Sequence, residues 1–205
     1  MNAPPSVRLT RRDESAQTAP VFTDAFIDEA GLNYWLKQGA AKERARRKFF
    51  DAVVEAAVHP GRDIYVAESD GERLGAALWL TPGKKAFDLS VVKQVSLAPL
   101  MFSIAGVRGM QRGFALADRL EAHHPKVSHA HLVFLGVATK AQGRGVGSEL
   151  LKHTLAPLDA SGTVAYLECS TERNAALYQR HGFEVTGEFD LANLHMWMMV
   201  RQPQR

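Results

Sequence analysis

Residues 141–147, AQGRGVG, stand between an apolar run, HLVFLGVA (131–138), and a stretch with helical spacing, SELLKHTLAPL (148–158). Gly143, Gly145 and Gly147 occupy alternate positions where a strand hands over to a helix, and Arg144 lies between the first two. Glycines let the backbone turn tightly and approach a ligand without a Cβ in the way, and the first amides of the following helix have no internal partner. The helix dipole adds partial positive charge at the same place. The amides from Gln142 through Gly143, Arg144, Gly145, Val146 and Gly147 to Ser148 therefore read as a seat for a pyrophosphate, with Arg144 as its charge partner. A turn needed only for chain reversal is the plainer reading of the same residues.

Two nucleotide-binding patterns do not fit. An NTPase phosphate loop needs Lys and then Ser or Thr after its last glycine, whereas Gly147 is followed by Ser148 and Glu149. The dinucleotide fingerprint G-x-G-x-x-G opens a βαβ unit; these glycines follow G-x-G-x-G and come two-thirds of the way along the chain.

The chain has 205 residues, 46% of them apolar, enough for one good core, and it reads as a single domain over 1–205. Lys and Arg number 25 against 22 Asp and Glu, so the net charge of +3 suits a phosphorylated small molecule and falls far short of a nucleic-acid-binding balance. The lone cysteine, Cys169, excludes an internal disulfide, and eight histidines without CxxC or HExxH spacing give a built-in metal site no support; no metal is expected. MNAPPSVRLTRRDES has no apolar signal core and no run of eighteen uncharged apolar residues occurs, so the expectation is a cytoplasmic chain with no membrane partner.

Residues 1–5 are expected to fray, and VRLT (7–10) reads as a first strand. DESAQTAPVFTDAFIDEAGLNYWLK (13–37) and AAKERARRKFFDAVVEAAV (40–58) read as helices, the second ended by HPG. DIYVAES and RLGAALWLT flank DGE, an Asp-Gly hairpin signal. From Lys84 to Lys126 the period becomes helical, with Met110, Phe114, Ala117 and Leu120 three or four apart and Pro99 marking a helix start; this is a helical insertion. TVAYLEC (163–169) is a buried strand, RNAALYQRHG a short helix closed by Gly182, and FEVTGEFDL and HMWMMVR are two last strands. Strands joined mostly by short connections predict a mixed sheet with helices against it.

LGVATKAQGRGVGSELL (135–151) followed by YLECSTERNAALYQRHGFEV (166–185) resembles the paired signature of the GCN5-related N-acetyltransferases (GNAT family): strand, Q-x-x-G-x-G loop, helix, strand, a helix start with Asn and Ala, then Tyr and Gly-Phe. The resemblance covers 131–190 and is poor over 84–126. It implies an α/β (α+β) fold with a mixed, mostly antiparallel central sheet of about seven strands flanked by helices, the insertion falling between the third and fourth strands. It also implies acetyl-coenzyme A (acetyl-CoA) as donor, held by 131–190, its pantetheine pairing with backbone at Leu135, Gly136, Val137 and Ala138 and its pyrophosphate on 142–148. A strand serving a ligand must splay from its neighbour, so Gly136 is expected either as a bulge or as a glycine in an ordinary strand.

By the same resemblance Tyr178 is the general acid that protonates the departing thiolate, against the alternative of a packing tyrosine. The coenzyme-contacting Asn of the family falls at Thr171, with Asn174 the nearest Asn, and either could cap the helix and touch the pantetheine. Glu168, on the strand before the tyrosine helix, is the candidate base for the acceptor amine, with an ion pair to Arg or His as the alternative. His131 reads as a structural histidine with relay chemistry in reach. Asp28 and Glu29 either face the acceptor cleft or, the plainer reading, are solvated; Cys169 reads as core and KERARRK (42–48) as a solvated cationic face. The acceptor is a small-molecule or peptide amine that no residue names; Met101, Phe102, Met110 and Phe114 are core or an apolar lid, and an exposed apolar insertion makes a homodimer plausible. A non-catalytic acyl-CoA sensor with the same fold is the rival reading.

Overall fold

The computed structural model describes residues 5–57, 61–84 and 91–204, so residues 1–4, part of the HPG stop and residues 85–90 of the insertion lie outside it. In chain order the elements are β1 (Ser6–Leu9), α1 (Ser15–Ala25), α2 (Ala30–Trp35), α3 (Lys42–Ala56), β2 (Arg62–Ser69), β3 (Glu72–Leu80), α4 (Val91–His123), β4 (His129–Val137), α5 (Val146–Ala160), β5 (Val164–Cys169), α6 (Glu172–Gln179), β6 (Glu184–Leu191) and β7 (Leu194–Arg201). The strands form one sheet in the order β1-β2-β3-β4-β5-β7-β6, antiparallel throughout except where β4 meets β5. The expected seven-stranded mixed sheet, with α4 inserted between β3 and β4, is what the chain forms.

Alternation along the strands divides the core. On one face Ala77, Trp79, Leu132, Ala165, Leu167 and Met199 pack under α5 and α6. On the other, Val66, Ala76 and Leu78 lie beneath α1 and α3, with Phe22, Phe49, Phe50 and Phe134 in mutual ring contact, while Tyr166, Met196 and Met198 meet α4 through Leu116. The β2–β3 hairpin turns through Asp70 and Gly71, both at positive φ, as the Asp-Gly pair predicts.

Local differences from the sequence reading have identifiable causes. The helix expected over 13–37 is two: the Glu29 carboxylate accepts from the amides of Gly31 and Leu32 and starts α2 afresh. Pro99 does not start a helix but lies inside α4, whose regular backbone breaks at Gly106 (φ 65°). Next to that break the Ile104 carbonyl accepts from Lys37 N at 3.0 Å. The break also shifts which residues face inward: Ile104, Ala105 and Leu116 are buried, whereas Phe102 and Phe114 are 54% and 64% exposed. Within KERARRK, Arg46 is buried with its Nε donating to the Thr23 carbonyl at 2.8 Å.

Close approach, not backbone freedom, explains Gly109 of α4. A Cβ there would sit 2.2 Å from the Trp35 carbonyl oxygen, so this glycine lets α2 lie against α4. Gly109→Ala therefore destabilises the protein although alanine is the better helix former by about 1 kcal/mol; thermal melting checks it, with a lowered Tm expected.

Arg8, Glu14, Glu68 and Arg73 form a network tying the first strands to the start of α1. Glu14 takes both Nη atoms of Arg8 at 2.8 Å and Arg73 at 2.9 Å, and Arg73 Nε reaches Glu68 at 3.0 Å. The hydrogen bonds from Arg8, then the Arg11 amide, hold the Glu14 carboxyl down at about 2 against their common cost of burial. A depressed carboxyl contributes stability above its unfolded value and loses it as pH falls through the folded one. The stability difference between the protein and Glu14→Gln, followed by denaturant melts, should thus be full at neutral pH and shrink as pH drops from about 4.5 toward 2.

Candidate functional site

The sheet opens between β4 and β5. The two strands pair from His129 opposite Val164 to Leu132 opposite Leu167 and no further. Beyond that point β4 stays with β3 as far as Val137, and β5 stays with β7 as far as Cys169. The register of β4 against β3 shifts between Leu132 and Phe134, so the bulge falls at Val133 and not at Gly136. Gly136 pairs regularly with Ala76; a Cβ there would come within 2.8 Å of the Ala25 Cβ, so the glycine is required by α1 lying on the strand.

Along the open part of β4 the backbone polar groups alternate between the two sides. Ala138 N donates to the Leu74 carbonyl at 2.8 Å, which turns Ala138 and Gly136 toward β3 and leaves the amides of Leu135 and Val137 facing the gap. On that side the Gln142 side chain donates to the Val137 carbonyl at 3.3 Å. Asp24 of α1 fixes the following turn, accepting from Thr139 N at 2.6 Å and from Thr139 Oγ1 at 3.2 Å.

Gly143 (φ 74°) and Gly145 (φ 81°) both adopt the left-handed conformation, and Gly145 is the N-cap of α5 with no side chain capping it. The first intrahelical bond is Glu149 N to Gly145 O at 3.0 Å, so the amides of Val146, Gly147 and Ser148 have no helical partner. Gln142, Gly143, Arg144 and Gly145 are exposed, Ser148 half-buried, and Val146 and Gly147 buried. Gly147 packs against Leu135, Val137 and Leu177 and brings the helix end up to the open strand.

Across the gap, the Thr171 side chain caps α6 by accepting from Asn174 N at 3.2 Å. Thr171 is thereby committed to the helix, while Asn174, half-buried on the first turn, keeps its side-chain amide out of any hydrogen bond among the described residues. Tyr178 is 6% exposed, with its ring edge-on to Phe183 at 5.9 Å. Burial first, then the charges of Cys169 and Glu29, push its phenol above the ordinary tyrosine value. Cys169 is buried with its thiol pushed up to about 12, chiefly by desolvation, and its Sγ lies 3.9 Å from Met199 Sδ, as a core cysteine.

Glu168 projects from the opposite face of β5, next to the last paired residue. Its carboxylate meets His131 Nε2 at 2.7 Å. Burial works against the charged carboxylate, but the charge and hydrogen bond of His131 outweigh it and hold the carboxyl below its usual value. His131 is itself buried, its ring 5.0 Å from Tyr166 and 5.5 Å from His124.

Of the two acids weighed for the acceptor cleft or for solvent, Glu29 is half-buried: besides capping α2 it accepts from the Ser170 hydroxyl, just past β5. Asp28 is exposed. The acid before Ala-Gly-Leu could have indicated a helix cap, but nothing local indicates contact with Ser170, 141 residues away.

Residues 100–185 match the family model for the acetyltransferase (GNAT) domain. An uncharacterised N-acetyltransferase of Schizosaccharomyces pombe is 25% identical over 201 residues, covering 92% of this chain and 79% of the relative. The crystal structure of "histone acetyltransferase HPA2 and related acetyltransferase" from Corynebacterium glutamicum is 26% identical, covers 99% of this chain and 98% of its own, and superimposes with a TM-score of 0.75. The ribosomal-protein-S18-alanine N-acetyltransferase from Escherichia coli shares the fold at 11% identity, with a TM-score of 0.57 over 98% of this chain and 94% of its own. The family match, the relative and the superposition all span the opened strand pair and its glycine turn, and together they support the likeness to the GNAT acetyltransferases.

Proposed function

We propose that the protein transfers the acetyl group of acetyl-CoA to the amine of a small molecule or peptide, by direct attack within a ternary complex. The observation that carries this reading is the early end of β4–β5 pairing, which leaves the Leu135 and Val137 amides unpaired beside the uncapped start of α5. Amides at a strand edge suit the amide-bearing pantetheine arm, and free amides at a helix start suit the diphosphate. The Val137 N–H is the donor for the oxyanion that forms when the amine attacks the thioester carbonyl. No described helix is long and apolar enough to cross a membrane.

An ammonium has no lone pair, so the acceptor must lose a proton before or during attack. Glu168 receives it: its carboxyl is held ionised by the charge and hydrogen bond of His131, and the proton taken from the amine rests on the carboxylate until it leaves to solvent. When the tetrahedral intermediate collapses, the carbon–sulfur bond breaks and the electron pair goes to sulfur. Tyr178, whose raised phenol stays protonated throughout the neutral range, donates a proton to that thiolate.

Three substitutions test the roles separately. Glu168→Gln should lower kcat by about 10²-fold or more and Tyr178→Phe by at least tenfold, each with little change in coenzyme affinity. Normal single-turnover rates in either variant overturn that residue's role. Gly145→Val acts elsewhere: nothing lies within 4 Å of a Cβ there, but φ of 81° is strained for a β-branched residue, so the helix start is displaced. Calorimetry should show acetyl-CoA affinity reduced at least tenfold, equivalent to about 1.4 kcal/mol.

A further inference from the structure

The eight histidines are not spread evenly: three of them meet at the junction of α4, β4 and β5. One ligand atom each from His124, His131 and Glu168 lie within 4.8 Å of one another. His131 comes from β4 and Glu168 from β5, and His124 is the first residue after α4, so two of the three are fixed by neighbouring strands of the sheet. We propose that these three side chains form a binding site for a divalent transition-metal ion of the zinc(II) class, and that an ion bound there takes Glu168 out of use as a base. The second half rests on the reading of Glu168 given above; the first does not.

The donor set argues for this class of ion. Two imidazoles and one carboxylate suit zinc and its neighbours, whereas magnesium and calcium prefer oxygen ligands throughout. Tetrahedral bonds of about 2.0–2.2 Å place neighbouring ligand atoms about 3.3 Å apart, between the 2.7 Å of the His131–Glu168 contact and the 4.8 Å limit of the cluster. Side-chain rotation alone covers that difference. A supporting layer is present as well. His129 donates from Nδ1 to the Val127 carbonyl at 2.7 Å, so its Nε2, 3.1 Å from Nε2 of His124, accepts a proton held by His124. An imidazole oriented through its other nitrogen in this way is how metal-ligating histidines are fixed. The fully buried Tyr166 meets all three rings edge-on or tilted, at 4.9–5.3 Å, and closes the inner side, while the half-buried His124 and His129 and the exposed 126–128 turn leave an outer approach. On binding, the proton shared by His131 and Glu168 leaves to solvent, and both atoms turn their lone pairs to the ion.

The test uses the full chain after chelator treatment and removal of the chelator. Zinc(II) titrated against a chromophoric competitor should show one equivalent bound, and a zinc excess of about 100 over Kd should raise Tm by about 5–10 °C. His124→Ala should weaken binding by about 100-fold and abolish the Tm rise, and His131→Gln should do the same. Cobalt(II) in place of zinc should give the intense visible absorption of a four-coordinate site in the protein and not in His124→Ala. Equal zinc binding by the protein and a folded His124→Ala, or no stoichiometric binding at all, overturns the site. Acetyl transfer with and without zinc is then compared within each protein: inhibition in the protein and resistance in His124→Ala supports both halves. Stoichiometric binding at the triad with transfer unaffected leaves the metal site standing and overturns Glu168 as the base.

Discussion

Four residues of parallel pairing, His129 to Leu132 against Val164 to Leu167, join the two halves of this molecule's sheet. Every other strand boundary is antiparallel, and most run further. A parallel pair needs a crossover, and here the crossover is the glycine turn with α5, which packs back on the face carrying Leu132 and Leu167. Once β4 has bulged at Val133 it follows β3, while β5 continues with β7 alone, so the outer edge of β4 beyond Leu132 has no strand beside it. An unpaired interior edge is normally a cost. In this fold it is confined to a short stretch and set directly against the uncapped end of α5, where a ligand can satisfy it.

The two halves are secured away from that edge. On one side Arg8, Glu14, Glu68 and Arg73 bind β1, β2 and β3 to the start of α1. On the other, Arg201 of β7 makes a two-pronged contact with Asp159 near the end of α5, at 2.6 and 2.8 Å, and donates to the His181 carbonyl. Arg73 and Arg201 are both buried and neutralised by carboxylates, so the charge cost of burying them is met locally. With each half anchored, the gap between them has fixed walls.

What the sequence made legible was local. Strand alternation, the Asp70-Gly71 turn and the glycines before α5 are short-range patterns, and Gly143 and Gly145 take the left-handed conformations that such a turn requires. Gly136 shows where this stops: its glycine was readable as a bulge, but the need for it comes from Ala25, Phe22 and Phe26, over a hundred residues earlier. The histidine cluster was illegible for the same reason. No spacing rule connects 124, 131 and 168, because a helix end, a strand and a second strand supply them. Phe102 and Phe114 had core-like spacing, yet the break at Gly106 and the approach of Trp35 to Gly109 gave the inward positions to Ile104, Ala105 and Leu116.

β5 also separates the two proton-handling groups of the proposed reaction. Successive side chains on a strand point to opposite faces, so Glu168 shares a face with Tyr166 and Ser170, beneath the first four helices, while Cys169 faces α6 and Tyr178. The gap is where the two faces communicate: the Tyr178 phenol, although it belongs to the α6 side, responds to the charge of Glu29, which reaches Ser170 from the other. A base on one face and an acid on the other suit a reaction in which amine and thioester approach from opposite sides of the sheet. In that arrangement the proton removed from nitrogen and the proton given to sulfur never share a site, and neither Glu168 nor Tyr178 has to serve both steps.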